Sequence, residues 1–179
     1  MCILRVVYLL EIKMAETLII SQNADKETLY EEIIPQIRSL IDGEDNLTAN
    51  LANIAAVLDT AFGHLWTGFY LRDNENSLVL GPFQGPIACT RIPLKPIARG
   101  VCGAAAAEKK TQLVPDVEAF PGHIACSSAS RSEIVVPLVI DNQTELVLDI
   151  DSIELNTFDA IDQFYCEKII ELIKEKHFS

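Results

Sequence analysis

Three short stretches hold residues whose types and spacing could do chemistry. "PGHIACSSASRSEIVVPL", residues 121–138, places His123 three residues before Cys126 in a loop rich in Pro, Gly and Ser, and Glu133 opens an apolar, strand-like run seven residues after that cysteine. A thiol in a loop stands where reactive groups usually stand, rather than where packing groups do. "LVLDIDS", residues 146–152, puts Asp149 and Asp151 on one face of a strand while Leu148 and Ile150 turn to the other, towards a core. Three carboxylates converging near a strand end repel one another unless a cation or shared protons offset the charge. That arrangement suits a metal or an ammonium-bearing ligand; the plainer alternative is a solvated strand face. In "HLWTGFYLR", Trp66 and Tyr70 lie four apart and so share a face, either as core residues or as part of an aromatic cage for a cation.

The five cysteines are Cys2, Cys89, Cys102, Cys126 and Cys166. Without a secretory signal the expected compartment is the reducing cytoplasm, where stable structural disulfides are not expected. Cys89 falls on an expected strand, Cys102 at a helix start and Cys126 in the loop. A helix N-terminus favours a thiolate, so from the residues alone Cys102 is the expected low-pKa thiol. A free cysteine can also be a small buried hydrophobe. Zinc held by Cys89, Cys102, His123 and Cys126 fits poorly, because structural sites bring ligands in close pairs and only His123 and Cys126 are paired. No metal and no cofactor are expected.

These residues need a frame to bring them together. At 179 residues, 49% hydrophobic and 22% charged, the chain reads as one globular domain. Its net charge of −12 argues against a nucleic-acid partner, which needs clustered Lys and Arg. "MCILRVVYLLEIK" is interrupted by Arg5 and is too short for a membrane span, which takes ~20 apolar residues. Residues 1–13 are read as an extension outside the fold, with the domain at 14–179. Helix-period patterns run over 25–43, closed by Gly43, and over 46–62, with Leu47, Leu51, Ile54, Leu58 and Ala61 as the stripe. Residues 64–83 read as a hairpin around "DNEN", and 85–94 as a further strand opened by Pro86. A short helix follows at 100–110, a brief strand at 111–117 and a long loop at 115–131. A second hairpin over 132–152 turns at "DNQT", and a last helix is capped by Asn156 or Thr157. The class is α+β, a single layered unit.

The stretches "LWTGFYL", "LVLGPFQGPIACTRIP", "RGVCG", "FPGHIACSSASRSEIVVPL" and "VLDIDS" resemble the free methionine-(R)-sulfoxide reductases, which are catalytic GAF-domain proteins. The likeness spans about residues 26–175, and ordinary GAF sensor domains lack its two long motifs. The resemblance implies a six-stranded antiparallel sheet flanked by helices. It implies reduction of free L-methionine-(R)-S-oxide, electrons from thioredoxin, and a homodimer. By motif position Cys126 is then the nucleophile, Cys102 the resolving thiol and Cys89 a second recycling thiol. Glu133, Asp149 and Asp151 hold the substrate, and Trp66 and Tyr70 line the pocket for its methylsulfinyl end. The rival expectation is a non-catalytic GAF domain that binds a small molecule. Two departures stand out. "RIPLKPIARGVCG" is longer than the family's usual join between these cysteines, and Leu146 stands where a Gly is expected, so the second hairpin could start differently.

Overall fold

The computed structural model describes residues 17–122 and 127–178. The extension at 1–13, the start of the domain at 14, His123 and Cys126 lie outside the described residues.

Helix α1 (Lys26–Asp42) starts at Asp25, whose side chain accepts from the Thr28 N–H at 2.8 Å, and it stops at Gly43. Helix α2 (Leu47–Phe62) is capped in the same way by Asn46 and ends at Gly63, whose φ of 61° a β-carbon would resist. Strands β1 (Trp66–Asn74), β2 (Ser77–Gln84) and β3 (Arg91–Pro93) follow, then helix α3 (Gly100–Glu108) and strand β4 (Gln112–Val114). After a 3-10 turn come β5 (Ser132–Ile140), β6 (Gln143–Ser152) and helix α4 (Ala160–His177). The six strands form one sheet in the order β3-β2-β1-β6-β5-β4, every neighbouring pair antiparallel.

Both faces of this sheet are covered, which explains the near-continuous apolar run "IVVPLVI" in β5. On one face Phe69, Ile134, Val136, Leu148 and Ile150 pack against Tyr30, Ile33, Leu51, Leu58 and Ile169 of α1, α2 and α4. On the other, Tyr70, Val135 and Val147 pack against Val101, Cys102 and Ala105 of α3. The period-2 alternation of a strand therefore delivers Asp149 and Asp151, in step with Val147, to the α3 side.

Three local expectations change. The strand expected over 85–94 shrinks to Arg91–Pro93. Pro86 has no N–H to give a ladder, and Gly85 turns the chain at φ 122°. Cys89 is therefore in a loop, where its carbonyl accepts from the Tyr70 hydroxyl at 2.9 Å. The last helix is capped by Asp159, not Asn156 or Thr157: its carboxylate takes the Ile161 and Asp162 N–H groups, and Asp162 returns a bond to the Asp159 N–H at 2.8 Å. Thr157 instead donates to Ser152 Oγ at 2.7 Å. The turn of the second hairpin contracts to Asp141 and Asn142, both at positive φ, so Gln143 and Thr144 join β6. Leu146 is fully buried opposite Leu71 and Leu138, a packing position with no need of a glycine.

Candidate active site

Register decides which side chains meet. Across β1, β6 and β5 one row reads Trp66, Asp151, Glu133 and the next reads Gly68, Asp149, Val135. Directly opposed residues share a face, so the three carboxylates and Trp66 converge on the α3 side. Gly68 leaves the space beside Asp149 open. A β-carbon there would stand 2.7 Å from Trp66 Cη2 and would also collide with Phe83. The Trp66 ring fills this gap, stacked on Phe83 with centroids 5.3 Å apart and on Tyr70 at 5.8 Å. From above, α3 brings Cys102, and the loop before β5 brings Ser130, whose hydroxyl donates to Asp151 Oδ1.

Two small adjoining cavities of about 30 and 20 Å³ lie within this cluster. Tyr70, Ser127, Asp149 and Asp151 line both; Arg99, Gly100 and Cys102 close one, and Trp66 and Ile87 the other. Space for a water or two gives the carboxylates little hydration. Glu133 and Asp149 are each 6% exposed. Burial pushes both carboxyls well above their ordinary range, and the neighbouring acidic charges add to it. Two carboxyls this close and this buried share a proton. Burial likewise lifts Asp151 to about 6, against the lowering effect of the Ser130 hydroxyl.

Cys102 departs from its expected low pKa. Its thiol is 5% exposed, and burial followed by the charges of Asp149 and Glu133 pushes it well above the ordinary thiol value. Desolvation outweighs the helix N-terminus. The Cys102 sulfur and one oxygen each of Glu133 and Asp149 lie within 4.8 Å of one another, a spacing that could surround a small cation. Cys102 and Cys166 are free thiols, and Cys166 belongs to the opposite core. Cys89 is half of a disulfide, so it has no thiolate to offer a zinc ion; its partner lies outside the described residues.

Two buried polar atoms at this site have no hydrogen-bond partner among the described residues, Asp149 Oδ1 and Trp66 Nε1. The first is an acceptor and the second a donor. Helix α3 also begins without a side-chain cap, with Arg99, Gly100, Val101 and Cys102 at the cavity wall. Trp66, Tyr70, Cys102, Glu133, Asp149 and Asp151 are thus brought together, and Cys89 is tied to Tyr70. Sequence reasoning overlooked Ser130, Arg99, Phe83 and Gly68. The hydroxyl-rich run before Glu133 was a signal for the first, and nothing local marked the others. A larger cavity, about 940 Å³, lies elsewhere, between α1, α4, β5 and the end of α3. Its mixed lining of Lys110, Phe164, Glu167 and Lys168 includes no thiol. Among the described residues no helix is long and apolar enough to cross a membrane.

No protein-family model matches the chain. Whole-chain comparison does find relatives. It is 56% identical to GAF domain-containing protein A of Dictyostelium discoideum over 160 residues, 89% of this chain and 99% of that protein. It is 42% identical to the free methionine-R-sulfoxide reductase of Saccharomyces cerevisiae, covering 87% of this chain and 89% of the yeast protein. Among solved structures it superposes on the free methionine-R-sulfoxide reductase of Neisseria meningitidis, determined in complex with its substrate, with a TM-score of 0.85. The two are 52% identical, and the match covers 89% of this chain and 94% of that one.

Proposed function

The chain belongs to the free methionine-R-sulfoxide reductases, enzymes of the GAF fold, and from that premise we propose that it reduces free L-methionine-(R)-S-oxide to methionine. The observation that carries this reading is the pair of buried, unpartnered atoms at the site. Buried polar groups are almost always paired, so an acceptor and a donor left open in one pocket call for a ligand with matching groups. The substrate's ammonium group donates to Asp149 Oδ1 and is balanced by the acidic cluster. Its sulfoxide oxygen accepts from Trp66 Nε1, with the Trp66 and Tyr70 rings around the methylsulfinyl end. Its carboxylate faces Arg99 and the uncapped start of α3, where free N–H groups favour an anion. A peptide-bound residue lacks both of these charged ends.

In the proposed reaction the Cys126 thiolate attacks the sulfoxide sulfur and the sulfur–oxygen bond breaks. The oxygen shifts to the Cys126 sulfur as the transient sulfur–sulfur bond made by the attack also breaks, methionine leaves, and Cys126 is left as a sulfenic acid. The transferred oxygen must gain a proton, and Glu133, a buried carboxyl held above its ordinary range, is the proposed donor. A second thiol then condenses with the sulfenic acid, releasing water and forming a disulfide. Thioredoxin reopens that disulfide by exchange. Cys102 was the expected resolver and Cys89 the second recycling thiol. The disulfide at Cys89 and the buried, free state of Cys102 support the reverse order, with Cys89 resolving. A homodimer in the cytoplasm is the expected setting, inferred from the family.

The test is thioredoxin-coupled NADPH oxidation with the R and S epimers of free methionine sulfoxide and with a peptide-bound sulfoxide. Turnover of the free R epimer alone is expected, and Cys126→Ser should abolish it. Equal rates on the peptide, or full multi-turnover activity in Cys126→Ser, would overturn the reading. Binding of the sulfoxide without any turnover would leave a GAF sensor instead.

A further inference from the structure

We propose that Ser132, together with Ser152 and Thr157, is a positioning residue for the reaction: from the face of the sheet opposite the substrate it locks the ends of β5 and β6 together, and so holds Glu133 and Asp151 where the reacting sulfoxide needs them. This rests on the reductase reading of the same site and deepens it.

Glu133 and Asp151 are directly opposed across β5 and β6, and Ser132 and Ser152 form the next opposed pair towards the strand ends. Like charges directly opposite one another push a strand pair apart. Here they act where the backbone ladder runs out, its last link being the Arg131 N–H that donates to the Ser152 carbonyl at 2.7 Å. Period 2 sends the two serine side chains to the far face. There Ile134, Val136 and Leu138 of β5 and Leu146, Leu148 and Ile150 of β6 are core residues, yet each of these apolar rows ends in a buried serine. A hydroxyl in such a place costs free energy unless it is paired.

Both serines are paired, and with the same short segment. Ser132 Oγ donates to the Glu154 carbonyl at 2.6 Å and accepts from the Thr157 N–H at 3.4 Å. Ser152 Oγ accepts from the Glu154 N–H at 3.1 Å and from the Thr157 hydroxyl at 2.7 Å. The chain leaving β6 is thereby folded back across both strand ends. Its far end is anchored in turn, because Lys26 Nζ of α1 donates to the Thr157 carbonyl at 3.0 Å and to the buried Asp162 of α4 at 2.5 Å. Releasing Ser132 moves Glu133 first, since the two are adjacent in the chain. A misplacement of about 1 Å in a reacting group can cost ~10²-fold in rate.

The experiment compares Ser132→Ala, Thr157→Val and Thr157→Ser in the full chain, with Ile37→Val as a control that loosens the same core away from the strand ends. Two quantities are read: the rate of methionine formation in a single turnover, as a function of free R-sulfoxide concentration, and the Tm. At saturation Ser132→Ala and Thr157→Val should be slower by about tenfold or more, with the half-saturating concentration changed less than about threefold. Thr157→Ser keeps the hydroxyl and should return the rate towards wild type. Ile37→Val should lower Tm and leave the rate alone. Saturated rates within about twofold of wild type in Ser132→Ala and Thr157→Val would overturn the proposal. So would a slowing that Ile37→Val reproduces at equal loss of Tm, or one that Thr157→Ser does not relieve. Thr157 is half-buried in a loop, so its pair of variants decides the matter even where Ser132→Ala does not fold. Failure of the unaltered chain to make methionine would overturn the reading of the site itself, and with it this inference.

Discussion

At the scale of single residues the proposed reaction gives three similar carboxyl groups different tasks. Glu133 is a buried carboxyl held above its ordinary range, Asp149 has an oxygen without a partner among the described residues, and Asp151 accepts from Ser130. Near-isosteric amides should separate these roles. Glu133→Gln removes the proton donor and should lower kcat by ~10²–10⁴-fold with KM little changed. Asp149→Asn weakens an ammonium contact and should act mainly through KM. Steady-state kinetics on the two variants checks the split. Normal kcat and KM in both would make the cluster a bystander.

Individual elements place those residues. In β1 the sequence Trp66-Thr67-Gly68-Phe69-Tyr70 alternates between the two cores, and the glycine in the middle opens the pocket wall. Gly68→Ala would push the Trp66 ring or the β2 strand at Phe83, because the added carbon would stand 2.7 Å from Trp66 Cη2. We expect KM for the sulfoxide to rise about tenfold, which is about 1.4 kcal/mol. Trp66 fluorescence should change in parallel. An unchanged KM would mean that the ring position is not part of substrate binding. In the loop before β5, Ser130 plays a related part, joining the segment that leads from Cys126 to Asp151.

Across the whole molecule the site costs stability. Glu133, Asp149 and Asp151 all have folded pKa values above their unfolded ones. The native state therefore holds more protons than the unfolded chain above the ordinary carboxylate pKa. For such groups stability declines as pH rises, here from ~4 through the Asp151 value of about 6. Half-buried His64, whose pKa desolvation lowers, contributes with the opposite sign below its ordinary pKa. The informative quantity is thus a difference between proteins. Asp151→Asn keeps an acceptor for Ser130 and loses the charge. Its Tm relative to wild type should rise between pH ~4 and ~7, at roughly 2–4 °C per kcal/mol for a chain of this size. A difference flat in pH, measured by calorimetry without substrate, would remove the buried-charge account.

Much of this was local and therefore readable from the chain. Asp149, Asp151, Leu148 and Ile150 divide between the faces of β6 because a strand has period 2, and Trp66 and Tyr70 share a face for the same reason. Asp25 and Gly43 bound α1 through capping chemistry confined to a few residues. The motif likeness named the fold and the reaction class. The rest depended on contacts between distant segments. Cys102 looked like the reactive thiol because a helix N-terminus is visible locally, whereas the carboxylates and the burial that suppress its thiolate come from β5, β6 and the core. The expected strand at 85–94 failed because the loop at Cys89 is held by Tyr70, nineteen residues earlier in the chain. Asp159 won the cap of α4 because Thr157 was drawn to Ser152 and Lys26 reaches from α1 to the Asp159 carboxylate at 2.9 Å. Residue types and short spacings determine which chemistry the chain can offer. Strand register and the seating of α3 decide which groups share protons, because desolvation and charge repulsion act through space and not along the sequence.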